Sequence, residues 1–365
     1  MPGIRVGIIG VGNCAAGLIQ GVDLQREGKP GTKKASFPKI GGCGVEDIQF
    51  VSAFDVGSNK IGKPLGKAIY EFPNMVKWKD FVTGCNVEVM ESPVLDGVSE
   101  LVDKKVRPVR STASLEKLRD SILRELERTR TELIVNYLPV GSQKATEFWA
   151  DVALEAGCGM VNCIPVFIAS DEKWGRRFAI KNLPIIGDDV KGVVGATIVH
   201  RTLAQLCSDR GVDVGKTYQI NVGGNTDFLN LKELKRLQYK KISKTEAVQN
   251  VLAERLPEDQ IHVGPSDFIP YLGNTKVAFI RIEGTMFPGI PFNMETRLEV
   301  DDKANSAGIV VDAIRYCKVA LEKGRGGPLV EASAWLMKHP PKQMSDAVAR
   351  NMTNEWLEEA SIVAK

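Results

Sequence analysis

The sequence has little net charge, few histidines and no long uninterrupted apolar run. Its 48 basic and 45 acidic residues leave a formal net charge of only +3, whereas nucleic-acid-binding proteins usually carry a pronounced basic excess. The apolar runs fall short of the roughly 18 residues needed to cross a bilayer, and no basic leader precedes the first of them. We therefore expect a cytoplasmic protein that binds neither nucleic acid nor membrane.

Cysteine and histidine are too scattered to form a metal site or a disulfide framework. None of the seven cysteines forms a Cys-x-x-Cys pair, and His200, His262 and His339 are far apart in the chain. This spacing argues against structural zinc and against disulfides in a chain with room for a real core. With 365 residues, 43% of them hydrophobic, the chain is long enough for two domains.

A glycine turn follows the first apolar segment. Residues 4–9 have the pattern of a buried parallel strand, and residues 10–15 (Gly-Val-Gly-Asn-Cys-Ala) join it to a helical pattern. In dinucleotide-binding folds the first glycine permits the tight turn, the second lets a pyrophosphate approach the backbone, and the small third residue lets the helix pack closely. The N–H groups at the start of the helix would then hold the phosphates. The alternative is a glycine turn that binds no ligand.

Asp55 ends the next predicted strand, residues 50–54. An acidic residue at this place can accept hydrogen bonds from the adenosine ribose hydroxyls, which favours NAD over NADP. The usual offset is about 20 residues, and we attribute the longer distance here to an insertion, the polar and glycine-rich stretch 28–44. Asp23 has the nearer spacing, but it follows a helix and not a strand.

The pattern of strands changes in the second half of the chain. Strands and helices alternate at first, and after about residue 215 apolar and polar residues alternate, most clearly from Phe292 to Val300, as in a sheet with one wet face. We predict an α/β fold with a Rossmann-type doubly wound parallel sheet, followed by an α+β domain with a mixed or antiparallel sheet. The predicted domains are residues 1–200 (dinucleotide binding), 201–305 (the second sheet) and 306–365 (helices packed back on the first domain).

Lys240, Lys241 and Lys244 surround a capping box, Ser243-x-x-Glu246, which predicts a helix that begins near Ser243. A cation in the first turn opposes the helix dipole, so local stability does not explain Lys244 there, whereas an anion bound at the helix end would. A solvated charge run is the other interpretation.

Lys276 alternates with Ala278, Ile280 and Ile282 on what the pattern predicts to be the buried face of a strand. Such a lysine either extends its ammonium to solvent at the strand end or serves a site. Three single acids lie in glycine- or asparagine-rich surroundings and by spacing alone are ordinary loop residues: Asp189, Asp227 and Asp302.

Six segments carry a more specific signal. They are 187–189 (Gly-Asp-Asp), 221–228 (Asn-Val-Gly-Gly-Asn-Thr-Asp-Phe), 240–245 (Lys-Lys-Ile-Ser-Lys-Thr), 262–267 (His-Val-Gly-Pro-Ser-Asp), 305–308 (Asn-Ser-Ala-Gly) and 334–338 (Ala-Trp-Leu-Met-Lys). In this order they closely resemble the signatures of the myo-inositol-1-phosphate synthase family in its compact prokaryotic form. The resemblance runs from the glycine turn to about Lys338, nearly the whole chain.

The resemblance implies an isomerase that converts glucose 6-phosphate to inositol phosphate without net redox change. In this family NAD takes a hydride from C5, the resulting ketone acidifies the C6 protons, C6 attacks the C1 aldehyde as an enolate, and the cofactor returns its hydride. The resemblance also implies a homotetramer, with the domain 201–305 serving both catalysis and assembly. The requirement for a divalent metal or a monovalent cation stays open.

The family's functional residues can be carried over by position. The resemblance implies catalytic roles for four lysines and three acids: Lys240, Lys244, Lys276, Lys338, Asp189, Asp227 and Asp302. It implies substrate contacts for Asn225 and Gly192. It implies cofactor contacts at the glycine turn and three strand ends: Gly10, Gly12, Asn13, Cys14, Asp55, Asn136, Tyr137, Leu138, Pro139 and Asp188. Lys276 is expected near C5 and Lys338 near C1.

One departure from the family pattern concerns Gly192 and Val193, where related chains often carry Ser and a polar residue. A side-chain phosphate contact is therefore not expected at this position, and a contact from the backbone is.

Two other functions use the same residues. A NAD-dependent dehydrogenase of a phosphorylated sugar or amino-acid precursor would need the same turn and Asp55, and it would accumulate NADH. A regulator that senses NAD would bind it without making a product, and it would leave the internal lysines unexplained.

Overall fold

The structure, a computed structural model, describes residues 3–28, 32–231 and 234–362, without the side chains of 234–241, 265–266 and 359–362. Its strands are β1 Ile4–Ile9, β2 Ile48–Asp55, β3 Val89–Glu91, β4 Leu133–Asn136, β5 Gly159–Asn162, β6 Pro184–Ile186, β7 Asp213–Gly223, β8 Ile261–Phe268, β9 Thr275–Met286, β10 Ile290–Asp301 and β11 Gly327–Pro328. Its helices are α1 Asn13–Glu27, α2 Leu65–Ala68, α3 Glu100–Val106, α4 Leu115–Arg128, α5 Gln143–Ala156, α6 Glu172–Ile180, α7 Ala196–Asp209, α8 Thr226–Asn230, α9 Leu234–Gln249, α10 Ala307–Glu322, α11 Val330–Leu336 and α12 Asp346–Ile362.

The first sheet has the strand order β11-β6-β5-β4-β1-β2-β3, and every neighbouring pair is parallel. Its central strands β4 and β5 are buried along their whole length. Near-continuous burial is typical of parallel strands that helices cover on both faces. The predicted Rossmann-type doubly wound sheet is confirmed.

The strand order reverses between β1 and β4, and this switch point positions the site. In open parallel sheets, ligands bind in the crevice beyond the carboxyl ends of the strands where the order reverses. Gly10 follows β1 directly and Tyr137 follows β4 directly. The turns at these two residues are therefore the walls of that crevice.

The second sheet is mixed, with the order β10-β9-β7-β8. Only β7 and β8 run parallel, and the other neighbouring pairs are antiparallel. On β10, Met294 and Leu298 are half-buried, whereas Glu295 and Arg297 are exposed, so the predicted alternation is confirmed. Helices α7 and α9 pack against one face of this sheet.

The last part of the chain returns to the first sheet. Helix α10 packs against α1, β5 and β6, and the Lys318 ammonium donates to Glu132 Oε1 at 2.6 Å. Strand β11 pairs with β6, and α12 packs on α11. The segment beyond residue 306 thus contributes a strand as well as helices.

Helix α1 also touches the segment that follows β10. A Cβ atom at Gly17 would lie 2.9 Å from the Cα atom of Ala304, so the two backbones are in direct contact. Ala304 comes immediately after Asp302 and Lys303. The start of the first sheet and the end of the second are therefore held together at this glycine.

Candidate active site

The glycine turn has the geometry that the sequence predicts. Gly10 has a φ of 84°, and a Cβ atom there would lie 2.9 Å from the carbonyl oxygen of Tyr137. At Gly12, by contrast, nothing lies within 4 Å of the place of a Cβ. Gly12 also precedes α1 without a side-chain cap, which leaves N–H groups of the first turn for a ligand.

Asp55 holds this turn in place. Its Oδ2 accepts the Val11 N–H at 2.7 Å, and its Oδ1 accepts the Gly57 N–H at 2.7 Å. Lys60 donates to the Val11 carbonyl at 2.7 Å, and its Nζ lies 3.8 Å from Asp55 Oδ2. Sequence reasoning missed Lys60, because the sequence around it is equally typical of an exposed charged segment.

Asp23, the other acid considered for the ribose, has a structural role. Its carboxylate is buried and pairs with Lys79 and with the Thr83 hydroxyl. These contacts fasten α1 to the segment around residue 80. Of the two acids, Asp55 lines the cavity described below.

The end of β4 forms the opposite wall. Tyr137, Leu138 and Pro139 line the cavity. The Asn136 side chain is fully buried behind them, where it donates to Asn162 Oδ1 at 2.9 Å and accepts the Leu138 N–H at 3.1 Å. Asn136 therefore shapes the wall rather than lining it.

Asp188 is likewise buried behind the wall. Its carboxylate accepts hydrogen bonds from Asn162, from the Ser170 hydroxyl and from backbone N–H groups of residues 168–170. Burial raises the pKa of the Asp188 carboxyl to about 6, against the lowering effect of these hydrogen bonds. The Asp188 side chain is fully buried and does not line the cavity, whereas the sequence resemblance implied a cofactor contact for this residue.

Asp189 points into the cavity instead. It has a φ of 61°, a left-handed conformation that is uncommon for a residue with a side chain. Its Oδ1 accepts the Lys338 ammonium at 2.8 Å, and its Oδ2 accepts the Ser243 hydroxyl at 2.6 Å. Three distant parts of the chain meet at this carboxylate.

The predicted helix start at Ser243 is wrong. Helix α9 begins at Leu234, so Ser243 and Lys244 lie inside it, and the helix-dipole argument for an anion beside Lys244 does not apply. The residues before Ser243 favour helix, and its hydroxyl bonds Asp189 rather than capping. Lys244 is 7% exposed and lines the cavity, and the Lys240 side chain lies outside the described residues.

The predicted alternation of buried residues after Lys276 is confirmed. Ala278, Ile280 and Ile282 are buried on the same face of β9. At the start of that strand the Lys276 ammonium reaches the cavity and donates to Asp302 Oδ1 at 2.7 Å. The lysine therefore serves the site rather than solvent.

Asn225 lies behind Asp227 and Asp302, on the side away from the cavity. Its Oδ1 caps α8 by accepting the N–H groups of Asp227 and Phe228, and its Nδ2 donates to Asp302 Oδ2 at 3.0 Å. It is fully buried. Asn225 thus orients Asp227 and Asp302, and it does not line the cavity.

Lys303 is a second residue of the cavity that sequence reasoning missed. Its ammonium lies 2.7 Å from Asp227 Oδ2 and 3.1 Å from Asp302 Oδ2. Burial acts to lower the pKa of Lys303, but the charges of Asp227 and Asp302 raise it well above its ordinary value. Its only signal in the sequence is a lysine directly after two acids at a strand end.

Gly192 lies where the chain passes close to Asn305. A Cβ atom at Gly192 would lie 2.9 Å from Asn305 Nδ2, and the Asn305 side chain is bonded to the N–H and carbonyl of Val194. A serine at residue 192 would have to displace that amide. Gly192 and the first residues of α7 line the cavity, and no side chain caps α7.

One cavity brings together most of the predicted site residues. It is lined by Gly10, Gly12, Asn13, Cys14, Asp55, Tyr137, Leu138, Pro139, Asp189, Gly192, Asp227, Lys244, Lys276, Asp302 and Lys338. The glycine turn and Asp55 come from the first sheet, whereas Lys244, Lys276 and Asp302 come from the second sheet and its helix. The cavity therefore spans both sheets.

Two further observations concern metal binding and membrane spans in the part of the chain that the structure describes. There, no group of three or more His, Cys, Asp or Glu side chains is arranged to hold a metal ion. No helix among the same residues has the length and apolarity to cross a membrane.

Fold and site together define a class of protein. It is an α/β protein with a Rossmann-type sheet, whose switch point opens into a cavity lined by lysines and aspartates from a second, mixed sheet. The particular family follows from comparison with known proteins. The family model of myo-inositol-1-phosphate synthase matches residues 195–303, which include Asp227, Lys276 and Lys303.

Curated relatives extend the match over the whole chain. The chain is 43% identical to the inositol-3-phosphate synthase of Mycolicibacterium smegmatis over 97% of its own length and 98% of the relative. It is 44% identical to the inositol-3-phosphate synthase of Corynebacterium glutamicum over 98% of its length and 99% of the relative. The chain therefore belongs to the myo-inositol-1-phosphate synthase family, and the resemblance stated from the sequence is confirmed.

Solved structures have the same fold. The crystal structure of Ari2 superposes with a TM-score of 0.77 at 30% identity and covers 98% of this chain and 99% of that one. The inositol-3-phosphate synthase of Caenorhabditis elegans has a TM-score of 0.78 at 13% identity, over 99% of this chain and 86% of the other. The second likeness supports the fold alone.

Proposed function

We propose that this protein converts D-glucose 6-phosphate to 1L-myo-inositol 1-phosphate (1D-myo-inositol 3-phosphate) as an NAD-dependent isomerase. The observation that carries the proposal is the continuity of the cavity. The glycine turn and Asp55 line one end, and Lys244, Lys276 and Lys338 line the other. A dinucleotide bound at the first end would reach a sugar phosphate bound at the second.

The first end fits NAD. The open space at Gly12 leaves room for a pyrophosphate against the backbone, and the start of α1 attracts its charge. Asp55 already binds two backbone N–H groups, and its carboxylate oxygens have further lone pairs for the ribose hydroxyls. When bound, NAD would accept the hydride of sugar C5 and return it at the end of the cycle.

The start of α7 fits the substrate phosphate. Gly195 precedes the helix without a side-chain cap, and Ala196 and Thr197 line the cavity. Unpaired N–H groups and the positive end of a helix dipole favour an anion at such a place. The backbone of Gly192 lies beside this helix end and adds a contact that needs no side chain.

The lysines supply the cations and proton carriers that the cycle requires. We assign Lys276 to the C5 oxygen, where it moves the hydroxyl proton as the hydride leaves and restores it on return. We assign Lys338 to the C1 aldehyde oxygen, which it polarises and protonates as C6 attacks. Asp302 and Asp189 orient these two ammonium groups through contacts of 2.7 and 2.8 Å.

The test is incubation with glucose 6-phosphate and substoichiometric NAD, followed by phosphorus NMR. We expect inositol phosphate to exceed the amount of NAD supplied, without lasting NADH absorbance. NADH that grows in step with substrate consumption would instead identify a dehydrogenase of a phosphorylated sugar. Binding of NAD without any product would identify a regulator.

We also propose that the protein is a homotetramer assembled through the outer face of the second sheet. Phe279 and Tyr218 on that face are 40% and 38% exposed, and Ile290 is 52% exposed at the sheet's edge strand. Large apolar side chains on a sheet face are usually covered by helices or by another subunit. The family resemblance implies that a further copy of the same chain covers this sheet face.

A further inference from the structure

Four charged side chains form a continuous chain at the substrate end of the cavity. In order they are Lys276, Asp302, Lys303 and Asp227, with contacts of 2.7, 3.1 and 2.7 Å between successive partners. All four side chains are largely buried, with exposures between 7% and 18%. Lys303 lies in the middle, between two carboxylates.

Two carboxylates that share a poorly solvated site repel each other, and they stay ionised together only if a cation lies between them. The Lys303 ammonium fills that place. It is fixed by the chain, because Lys303 directly follows Asp302 and precedes Ala304, which packs on Gly17. Among the described residues, its contacts with Asp227 and Asp302 use two of its three N–H donors.

We propose that Lys303 is a built-in cation: its ammonium occupies the position between Asp227 and Asp302 that a soluble cation would otherwise fill. Lys303 is then a positioning residue, which keeps both carboxylates ionised and in place for an anionic sugar phosphate. The inference rests on the proposed function, because it is the sugar phosphate that these carboxylates meet. It also implies that the intact enzyme does not depend on a soluble cation between Asp227 and Asp302.

The balance of charge explains why this matters. With Lys303 present, two ammonium groups offset two carboxylates in the chain of four. Without it, the ammonium between Asp227 and Asp302 is lost at the place where a phosphate ester must bind and an enolate must develop. Removal of Lys303 should therefore weaken substrate binding as well as slow turnover.

The experiment compares Lys303→Ala, Lys303→Gln and Lys303→Arg with wild type. Lys181→Ala, which removes an exposed lysine on the first domain, is the matched control for the lost charge. Turnover is measured by inositol phosphate formation with chloride salts of ammonium, methylammonium or the bulky tetramethylammonium at equal ionic strength. Thermal unfolding is followed in the same salts.

We expect Lys303→Ala to lose about tenfold or more in kcat, with a raised KM. Ammonium and methylammonium should restore much of the loss, whereas tetramethylammonium should not, and wild type and Lys181→Ala should respond to none of them. Lys303→Arg should keep more activity than Lys303→Gln, because it keeps the charge. Ammonium should also raise the Tm of Lys303→Ala more than that of wild type, since it binds the folded state alone.

Three results would overturn the proposal. One is full activity in Lys303→Gln, which would make the charge unnecessary. Another is a folded, inactive Lys303→Ala that no small cation restores, and the third is an equal response of wild type to ammonium. If wild type makes no inositol phosphate, the proposed function fails, and the Tm comparison still decides whether Lys303 replaces a soluble cation.

Discussion

The ammonium of Lys338 lies 2.8 Å from Asp189 Oδ1, and backbone contacts on either side hold this pair. The Lys338 N–H donates to the Asp189 carbonyl at 2.7 Å, and Asp188 and His339 exchange two backbone hydrogen bonds of 2.9 and 3.0 Å. The last part of the chain is thus paired to the end of the first sheet like a short strand. Lys338 is therefore positioned by backbone as well as by its carboxylate partner.

Lys276→Met should fold, bind NAD and make almost no inositol phosphate. Methionine fills the same space on the apolar face, and Asp302 keeps its contacts with Lys303 and Asn225. If Lys276 moves the C5 proton, turnover should fall by about a hundredfold or more. Turnover is measured by phosphorus NMR, NAD binding by fluorescence, and Lys181→Met serves as the control for a lost surface lysine. Near-normal turnover would remove Lys276 from the mechanism.

Asp55→Ala should weaken NAD binding and narrow the preference for NAD over NADP. The change removes the ribose acceptor and also frees the Val11 and Gly57 N–H groups that fix the turn. Asp55→Asn keeps an oxygen acceptor for one of these two N–H groups and loses the charge that repels the NADP phosphate, so it should narrow the preference for NAD with a smaller loss of affinity. Dissociation constants for both dinucleotides would be measured by calorimetry. Unchanged affinity in Asp55→Ala would mean that the ribose contact is misplaced.

His200 should make the protein less stable as the pH falls from about 6.5 to 4. Burial lowers its pKa to about 4, beside Gln219 and Thr217. Between these two pH values the unfolded chain binds a proton that the folded chain does not. The contribution of His200 to the free energy of unfolding is therefore fully present above pH 6.5 and is lost on acidification. From 6.5 to about 4 the loss is about 3 kcal/mol.

Urea unfolding of wild type and His200→Gln at several pH values isolates this contribution, because the carboxylates titrate alike in both proteins. The free energy of unfolding of His200→Gln should be lower than that of wild type at neutral pH, and it should change less with pH. Parallel curves for the two proteins would show that His200 does not carry this proton linkage.

Phe279→Asp should split the assembly. Phe279 lies opposite Ile220 of β7 and Arg297 of β10, in the middle of the outer sheet face. A carboxylate there would have to be desolvated to enter the interface, which would oppose association of two copies. Light scattering should give four times the chain mass for wild type and less for the variant, with Ile180→Asp, exposed on α6, as control. A wild-type monomer at working concentration would contradict the tetramer itself.

The sequence predicts best where function needs a local backbone shape. The glycine turn, the acid at the end of β2 and the alternation around Lys276 all depend on short-range rules, and the structure agrees with them. The longer offset of Asp55 from the glycine turn is also a local feature, because the insertion 28–44 lies between α1 and β2.

The same short-range rules do not predict contacts between segments that are distant in the chain. Ser243 has the pattern of a capping residue, but its partner Asp189 is 54 residues away in the chain, and no local pattern encodes that pairing. Asn225 and Asp188 have the residue types of ligand contacts, yet burial assigns both to the supporting layer. Lys303 escaped notice because a lysine beside two acids is equally typical of a solvated turn.

Gly17 has a consequence for the reaction's geometry. It puts α1, which begins at the glycine turn, directly against the segment that carries Asp302 and Lys303. A hydride moves only between carbons held at contact distance, and in the proposed reaction two backbones in direct contact, rather than adjustable side-chain rotamers, would set that distance. If NAD and the sugar phosphate bind as proposed, the missing side chain of Gly17 sets the distance between the glycine turn that holds one and the residues that hold the other.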